Sequence, residues 1–191
     1  MIMKRVLVLL AVTLIAMGSF AQDQLKIDPA HSSLNFNIGH SGISIVNGKF
    51  IDYIGDLTIE GEAFETAKVN FVIDVASINT NVEMRDNHLR SADFFEVETY
   101  PKMTFESTKV LATGKPDCYL LHGKLTIKDV TRDVIFDVHF GGAVKSDKDE
   151  KIGVEAKTKI NRFDYNINFD PTATGVGKDV TIIVHGQFAK Q

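Results

Sequence analysis

The side chains in this chain with most to offer chemically are six dispersed histidines (His31, His40, His88, His122, His139, His185), the lone Cys118, and Arg85, Arg90 and Arg162. The histidines form no His-x-His, no His-Glu-x-x-His and no Cys/His pair, so their spacing carries no zinc signature. No Ser-His-Asp ordering, paired catalytic carboxylates or glycine-rich phosphate loop accompanies them. A metal-dependent hydrolase, with dispersed His and Asp converging at one place, is the alternative to weigh, and the residue types favour a protein that is not an enzyme. Cys118 would need a neighbour to lower its pKa, and the turn Gly114-Lys115-Pro116-Asp117 offers a single lysine. For the arginines, Arg85–Asp86 and Arg162–Asp164 ion pairs are the plain expectation. A guanidinium meeting a phosphate or quinone oxygen is the functional one, because the planar fork suits two oxygens at once.

Arg85 and His88 fall within the one stretch that departs from β alternation, Ser77 to Phe105. Thr80 or Asn81 can accept from free N–H groups at a helix start, Glu83 sits in the first turn, and no Gly or Pro intervenes through Arg90. The pattern predicts a helix over residues 81–91 with Val82, Leu89 and the Arg85 stem facing inward. Asp93-Phe94-Phe95 then supplies two adjacent aromatics before Tyr100-Pro101 forces extended backbone. Such an insert, flanked by long strands, is suited to gating one end of a barrel.

Elsewhere the period is two. Apolar positions alternate at Leu34, Phe36 and Ile38, along residues 50–59 with Gly55 as a bend or bulge, and at Val69, Phe71, Ile73 and Val75. They resume at Met103 and Phe105, then in Tyr119–Ile127, Arg132–Gly141, Ile152–Ile160 and Lys178–Ala189. Gly39 to Gly48, Gly141-Gly142 with the charged run 146–151, and residues 161–177 read as turns or irregular connections. This makes eight strands, all explicable by antiparallel neighbours, with one helical interruption. An eight-stranded sheet closed on itself has room inside for side chains or one small ligand, and closure removes aggregation-prone edges. Phe36, Ile38, Phe50, Tyr53, Phe71, Ile73, Phe105, Leu125, Phe136, Val138, Ile182 and Val184 are the expected lining residues. Thirteen phenylalanines could equally fill such a core. Val72, Ile135 and Ile183 put apolar groups on the nominal solvent face, where two copies of a monomeric fold could pair.

The first 21 residues read as a cleaved signal peptide: Lys4-Arg5, an apolar run from Val6 to Met17, then Ser19-Phe20-Ala21. Residues 22–191 are then one domain. Removing Lys4 and Arg5 from the 21 basic side chains leaves 19 against 25 acidic, a formal charge of −6, which disfavours a nucleic-acid partner. No later apolar run reaches about 20 residues, so no membrane-spanning helix is expected. A membrane barrel with its apolar face outward is disfavoured by the absence of Trp and the scarcity of Tyr for aromatic girdles.

Several short motifs, in order along the chain, carry a family resemblance. Asp28-Pro29-Ala30-His31-Ser32, Phe36, His40, Gly48-Lys49-Phe50, Ser77-Ile78-x-Thr80, Arg85-Asp86-x-His88-Leu89, Asp93-Phe94-Phe95, Tyr100-Pro101-x-x-x-Phe105, Gly123-Lys124-Leu125-Thr126-Ile127 with Thr131, and Arg162-Phe163-Asp164-Tyr165 together resemble the YceI-like family. The resemblance spans roughly residues 25–189. Asn166 stands where the family pattern has glycine, and Asn tolerates left-handed backbone well enough for the turn to survive. The resemblance implies an all-β, extended eight-stranded antiparallel lipocalin-like barrel with a short helical insert. It also implies a periplasmic location, frequent dimers, and an elongated apolar ligand: a polyisoprenoid such as an isoprenoid quinone or prenyl phosphate, or else a fatty acid or amide, for carriage, storage or sensing. On that reading Arg85, His88, Phe94 and Phe95 join the lining residues as ligand-binding positions, His31 and His40 are further candidates at the mouth, and no cofactor is expected beyond the bound lipid.

Overall fold

The computed structural model describes residues 23–61, 63–146 and 150–190. Eleven strand segments build one antiparallel barrel: β1 (Asp23–Ile27), β2 (Ser33–His40), β3 (Ser44–Phe50), β4 (Tyr53–Ile59), β5 (Lys68–Asp74), β6 (Ile78–Asn79), β7 (Lys102–Ala112), β8 (Cys118–Ile127), β9 (Val130–Lys145), β10 (Glu150–Asn161) and β11 (Val176–Ala189). They amount to eight strand courses, because β1/β2, β3/β4 and β5/β6 are each one course broken by a short interruption. The ring runs β1-β4-β5-β7-β8-β9-β10-β11 and closes where Ile27 pairs with Phe188, while β2, β3 and β6 extend the same courses along β11.

Local chemistry explains the breaks. Asp28-Pro29 ends β1 because the Asp28 side chain accepts from the Ala30 N–H at 3.0 Å and Pro29 starts a single 3-10 turn. Asp74 does the same for Val75–Ser77, accepting from Ala76 N–H at 2.9 Å. The first segment, β1, was hidden from the alternation pattern by its shortness. The turn expected over residues 39–48 shrinks to Ser41–Ile43, where Ser41 and Gly42 take positive φ. Gly55 is no bulge: it pairs in register with Phe71, and the break in that course lies at Ile51–Asp52. Gly141 and Gly142 belong to β9 rather than to a hairpin tip, Gly142 (φ 109) supplying a bulge opposite the register shift at Gly153/Val154. The 3-10 turn Phe64–Thr66 replaces the expected start of the third strand.

Apolar side chains from every course point inward and form one buried cluster, with Leu57, Ile78, Val75, Tyr165 and Phe188 almost wholly inaccessible. Charged residues such as Glu106, Asp133, Asp137, Glu155, Lys157 and Lys159 face outward, the reverse of a membrane barrel's arrangement. No described helix is long and apolar enough to cross a membrane. Of the apolar residues expected outside, Ile135 is 48% exposed and Val72 and Ile183 are half-buried; Ile54, 64% exposed, pairs with Val72. The proposed signal segment lies outside the described residues.

Candidate functional site

One end of the barrel is packed by aromatic rings, Phe64 meeting Tyr119 and Phe140 at ring separations of 4.9 and 5.0 Å. At the other end β6 pairs with Lys49 and Phe50 of β3, and the insert follows it directly. Its helix, α1 (Glu83–Arg90), starts later than expected, and no side chain caps it. Thr80, the expected cap, is instead buried: Asp86 accepts from both its N–H (2.8 Å) and its hydroxyl. Asn81, the other candidate, takes positive φ (63°) in the connecting turn. Val82 was expected inside but is 45% exposed, because it precedes the helix and so does not share the face of Leu89.

The expected ion pairs are corrected in the same way. Arg85 donates to the Thr80 hydroxyl (2.7 Å) and carbonyl (2.9 Å), not to Asp86. Arg90 donates to the carbonyls of Ala76 and Ile78 and to the Asn87 side chain. Arg162, 3% exposed, ignores Asp164 and donates to the carbonyls of Ile167, Asp170, Val176 and Gly177 at 2.7–3.0 Å, while lying over the Phe163 ring. Irregular backbone has no ladder partners, and a guanidinium with five fixed N–H groups is the side chain that can satisfy several carbonyls together. Burial pulls the Arg162 pKa down from its ordinary value, with the Asp170 charge opposing. Asn166 does take left-handed backbone, φ 58°.

Asp170 organises the rest of this connection. It accepts from the N–H groups of Gly175 (2.7 Å) and Val176 (2.8 Å) and from the Thr172 hydroxyl (2.7 Å). The Val176 N–H foremost, then the Thr172 hydroxyl, hold its carboxyl down at about 2. The loop so fixed presents Phe169 to the insert: its ring lies 4.8 Å from Phe94 and 5.0 Å from His88, whose Nε2 is 2.8 Å from the Asp93 carboxylate. Phe95 packs edge-on to Phe50. Insert and loop thus meet across the barrel mouth.

Between the mouth and the packed end runs a continuous cavity of about 350 Å³ with an almost wholly apolar wall. Of the sequence-expected positions, Phe36, Ile38, Phe50, Phe71, Ile73, Arg85, His88, Phe94, Phe95, Phe105, Leu125, Phe136, Val138, Ile182 and Val184 all line it. Tyr53 does not; it is 8% exposed and packs in the wall beside Phe71, burial raising its pKa. His40 lies at the mouth, whereas His31 is bonded to Asp28 (2.6 Å) at the break between β1 and β2, well away from it. Leu89, Ile167, Phe169, Val176 and Val180 also line the cavity without being among the expected lining residues, three of them (Ile167, Phe169 and Val176) because their segment reads as irregular. Ile167 and Phe169, two apart, were the available signal. Among the described residues no three His, Cys, Asp or Glu side chains converge to hold a metal ion.

A model of the YceI-like domain matches residues 25–188. The chain belongs to the YceI-like family. It is 41% identical over 170 residues to the Staphylococcus aureus UPF0312 protein SA2479, covering 85% of this chain and 95% of that one. Among solved structures it resembles the Campylobacter jejuni YCEI protein (31% identity, TM-score 0.73, 78% of this chain and 87% of that one). BcnA of Burkholderia cenocepacia, at 22% identity (TM-score 0.73, 84% and 98%), and a polyisoprenoid binding domain from Saccharophagus degradans, at 18% (TM-score 0.65, 89% and 99%), share the fold. The lipocalin-like eight-stranded barrel is therefore the family's architecture, and this YceI-like chain carries it with an open lumen.

Proposed function

We propose that this protein binds one elongated apolar molecule in the barrel lumen and releases it unchanged. The observation that carries the reading is the continuous apolar cavity, whose size falls in the range typical of small-molecule sites. A polyisoprenoid chain, as in an isoprenoid quinone or prenyl phosphate, is the proposed ligand class, with a fatty acid or amide next; the name of the Saccharophagus degradans relative supports the first. The polar end of the ligand is placed at the mouth. There Arg85 uses Nε and Nη2 on Thr80, leaving Nη1 without a partner among the described residues, beside His88 and His40. The signal-like first 21 residues support export, with the periplasm as the site of action. The apolar outer patch around Ile54 and Val72 is the surface we assign to pairing between copies.

Each methylene buried contributes about 0.8 kcal/mol, so a chain of ten or more carbons overcomes an association cost of several kcal/mol without strong polar contacts. Affinity should rise about fourfold per methylene until the lumen is full and depend weakly on salt. Native mass spectrometry of gently purified protein, followed by extraction, identifies what is carried. Val184→Lys and Phe136→Asp place a charge in the lumen and should abolish loading. Undiminished loading in either folded variant would sink the lumen as the site.

A further inference from the structure

Three glycines face the lumen from strand interiors, and each is covered by a phenylalanine ring. Gly48 alternates with the lining residues Val46 and Phe50, Gly55 lies two before Leu57, and Gly123 lies between Leu121 and Leu125. None takes a positive φ, so backbone conformation does not demand glycine, and a strand-interior glycine costs stability for lack of a side chain to pack. What demands it is space. A Cβ at Gly48 would overlap the ring of Phe36, its cross-strand partner. A Cβ at Gly55 would stand 2.8 Å from Cε1 of Phe71, again the cross-strand partner. At Gly123 it would overlap Phe105 and come within 2.6 Å of the Glu106 carbonyl oxygen. Gly48 and Gly55 sit on one course, Gly48 nearer the mouth, and Gly123 lies three strands round the barrel.

The rings of Phe36, Phe71 and Phe105 are therefore laid against the wall, in room the glycines leave, instead of projecting across the lumen. Building on the lumen reading above, we propose that Gly48 and Gly55, with Phe36 and Phe71 folded onto them, set the calibre of the tube and select methyl-branched chains over straight ones. Dispersion supplies the reason. A gap of only 0.5–1 Å forfeits a quarter to a half of each contact's attraction, so wherever the room left by the glycines keeps a straight acyl chain off the wall, side methyls would restore that contact. A Cβ at either glycine pushes a ring inward, narrowing the tube where the methyls would lie. Gly123 is unsuitable for testing this, since its added Cβ also strikes backbone.

The test compares two alcohols of equal carbon count on the mature protein: icosanol, a straight chain, and phytanol, a shorter chain that carries the remaining carbons as a methyl on every fourth position. Wild type should bind phytanol at least about tenfold more tightly. Gly48→Ala should reduce that ratio by at least about fivefold, chiefly through phytanol, with Gly55→Ala acting in the same direction. Adding Phe36→Leu to Gly48→Ala removes the displaced ring and should restore the ratio, an outcome that lost stability alone would not produce. Equal affinities in wild type, or an unchanged ratio in either folded glycine variant, overturns the calibre proposal while leaving the lumen site standing. Binding of neither alcohol overturns the lumen reading itself, and the calibre proposal with it.

Discussion

Arg162 is the residue on which the mouth's irregular half depends, and Arg162→Met tests this at nearly constant volume. Methionine fills the space but leaves the carbonyls of Ile167, Asp170, Val176 and Gly177 without their donor. A hydrogen bond to a charged group contributes about 1.5–3 kcal/mol, and an unsatisfied buried acceptor costs about 1–3 kcal/mol. Simple addition over four bonds overshoots, because the guanidinium's own burial cost disappears and the outer carbonyls can turn to water. A loss of about 3–5 kcal/mol, the upper range for one substitution that breaks a buried hydrogen-bond network, is the better guide. At about 2–4 °C per kcal/mol for a domain of this length, Tm should fall by about 6–20 °C. Arg162→Lys should recover less than half, since one ammonium cannot span four diverging oxygens. Urea unfolding gives the free energy, and hydrogen exchange at Gly175 and Val176 should accelerate beyond the global loss. A methionine variant within about 1 kcal/mol of wild type, or a lysine variant equal to it, would refute the reasoning.

Asp170 gives a pH signature. Its folded pKa of about 2 lies below the ordinary 3.8, so its contribution is fully present above about pH 4 and is lost as pH falls towards 2. The stability gap between wild type and Asp170→Asn should be constant above about pH 5 and close between about pH 4 and 2; a gap that persists at pH 2 contradicts the assignment. Phe169→Ala, at a residue 39% exposed, should cost less than the about 3–5 kcal/mol of a fully buried phenylalanine, yet speed ligand exchange because it unseats the contact with Phe94. Unchanged exchange would make Phe169 ordinary packing. Phe94→Ala, buried, should show both effects, and stopped-flow displacement of a fluorescent lipid separates them from global unfolding.

Alternation was enough to place most of the strands and to put the expected lining residues, Tyr53 excepted, on the inward face. A side chain's face is fixed by parity along a strand, so Phe36, Phe71, Phe136 and Val184 could be placed inside before any pairing was known. The residue motifs likewise sufficed for the family. Parity does not say how far a ring reaches, and therefore does not distinguish a filled barrel from an open one. That belongs to the tertiary structure, in which register brings Gly48 opposite Phe36 and Gly55 opposite Phe71 and the rings occupy the room the glycines leave. The partners of the arginines were also tertiary. Asp86 directly follows Arg85 and Asp164 lies two residues after Arg162, but a guanidinium gains more by satisfying carbonyls stranded in irregular backbone than by pairing with a carboxylate that has other donors or open water. Phe169 reached the mouth for the same reason. Its position comes from the hold of Arg162 and Asp170 on the loop, a non-periodic arrangement that no local pattern encodes.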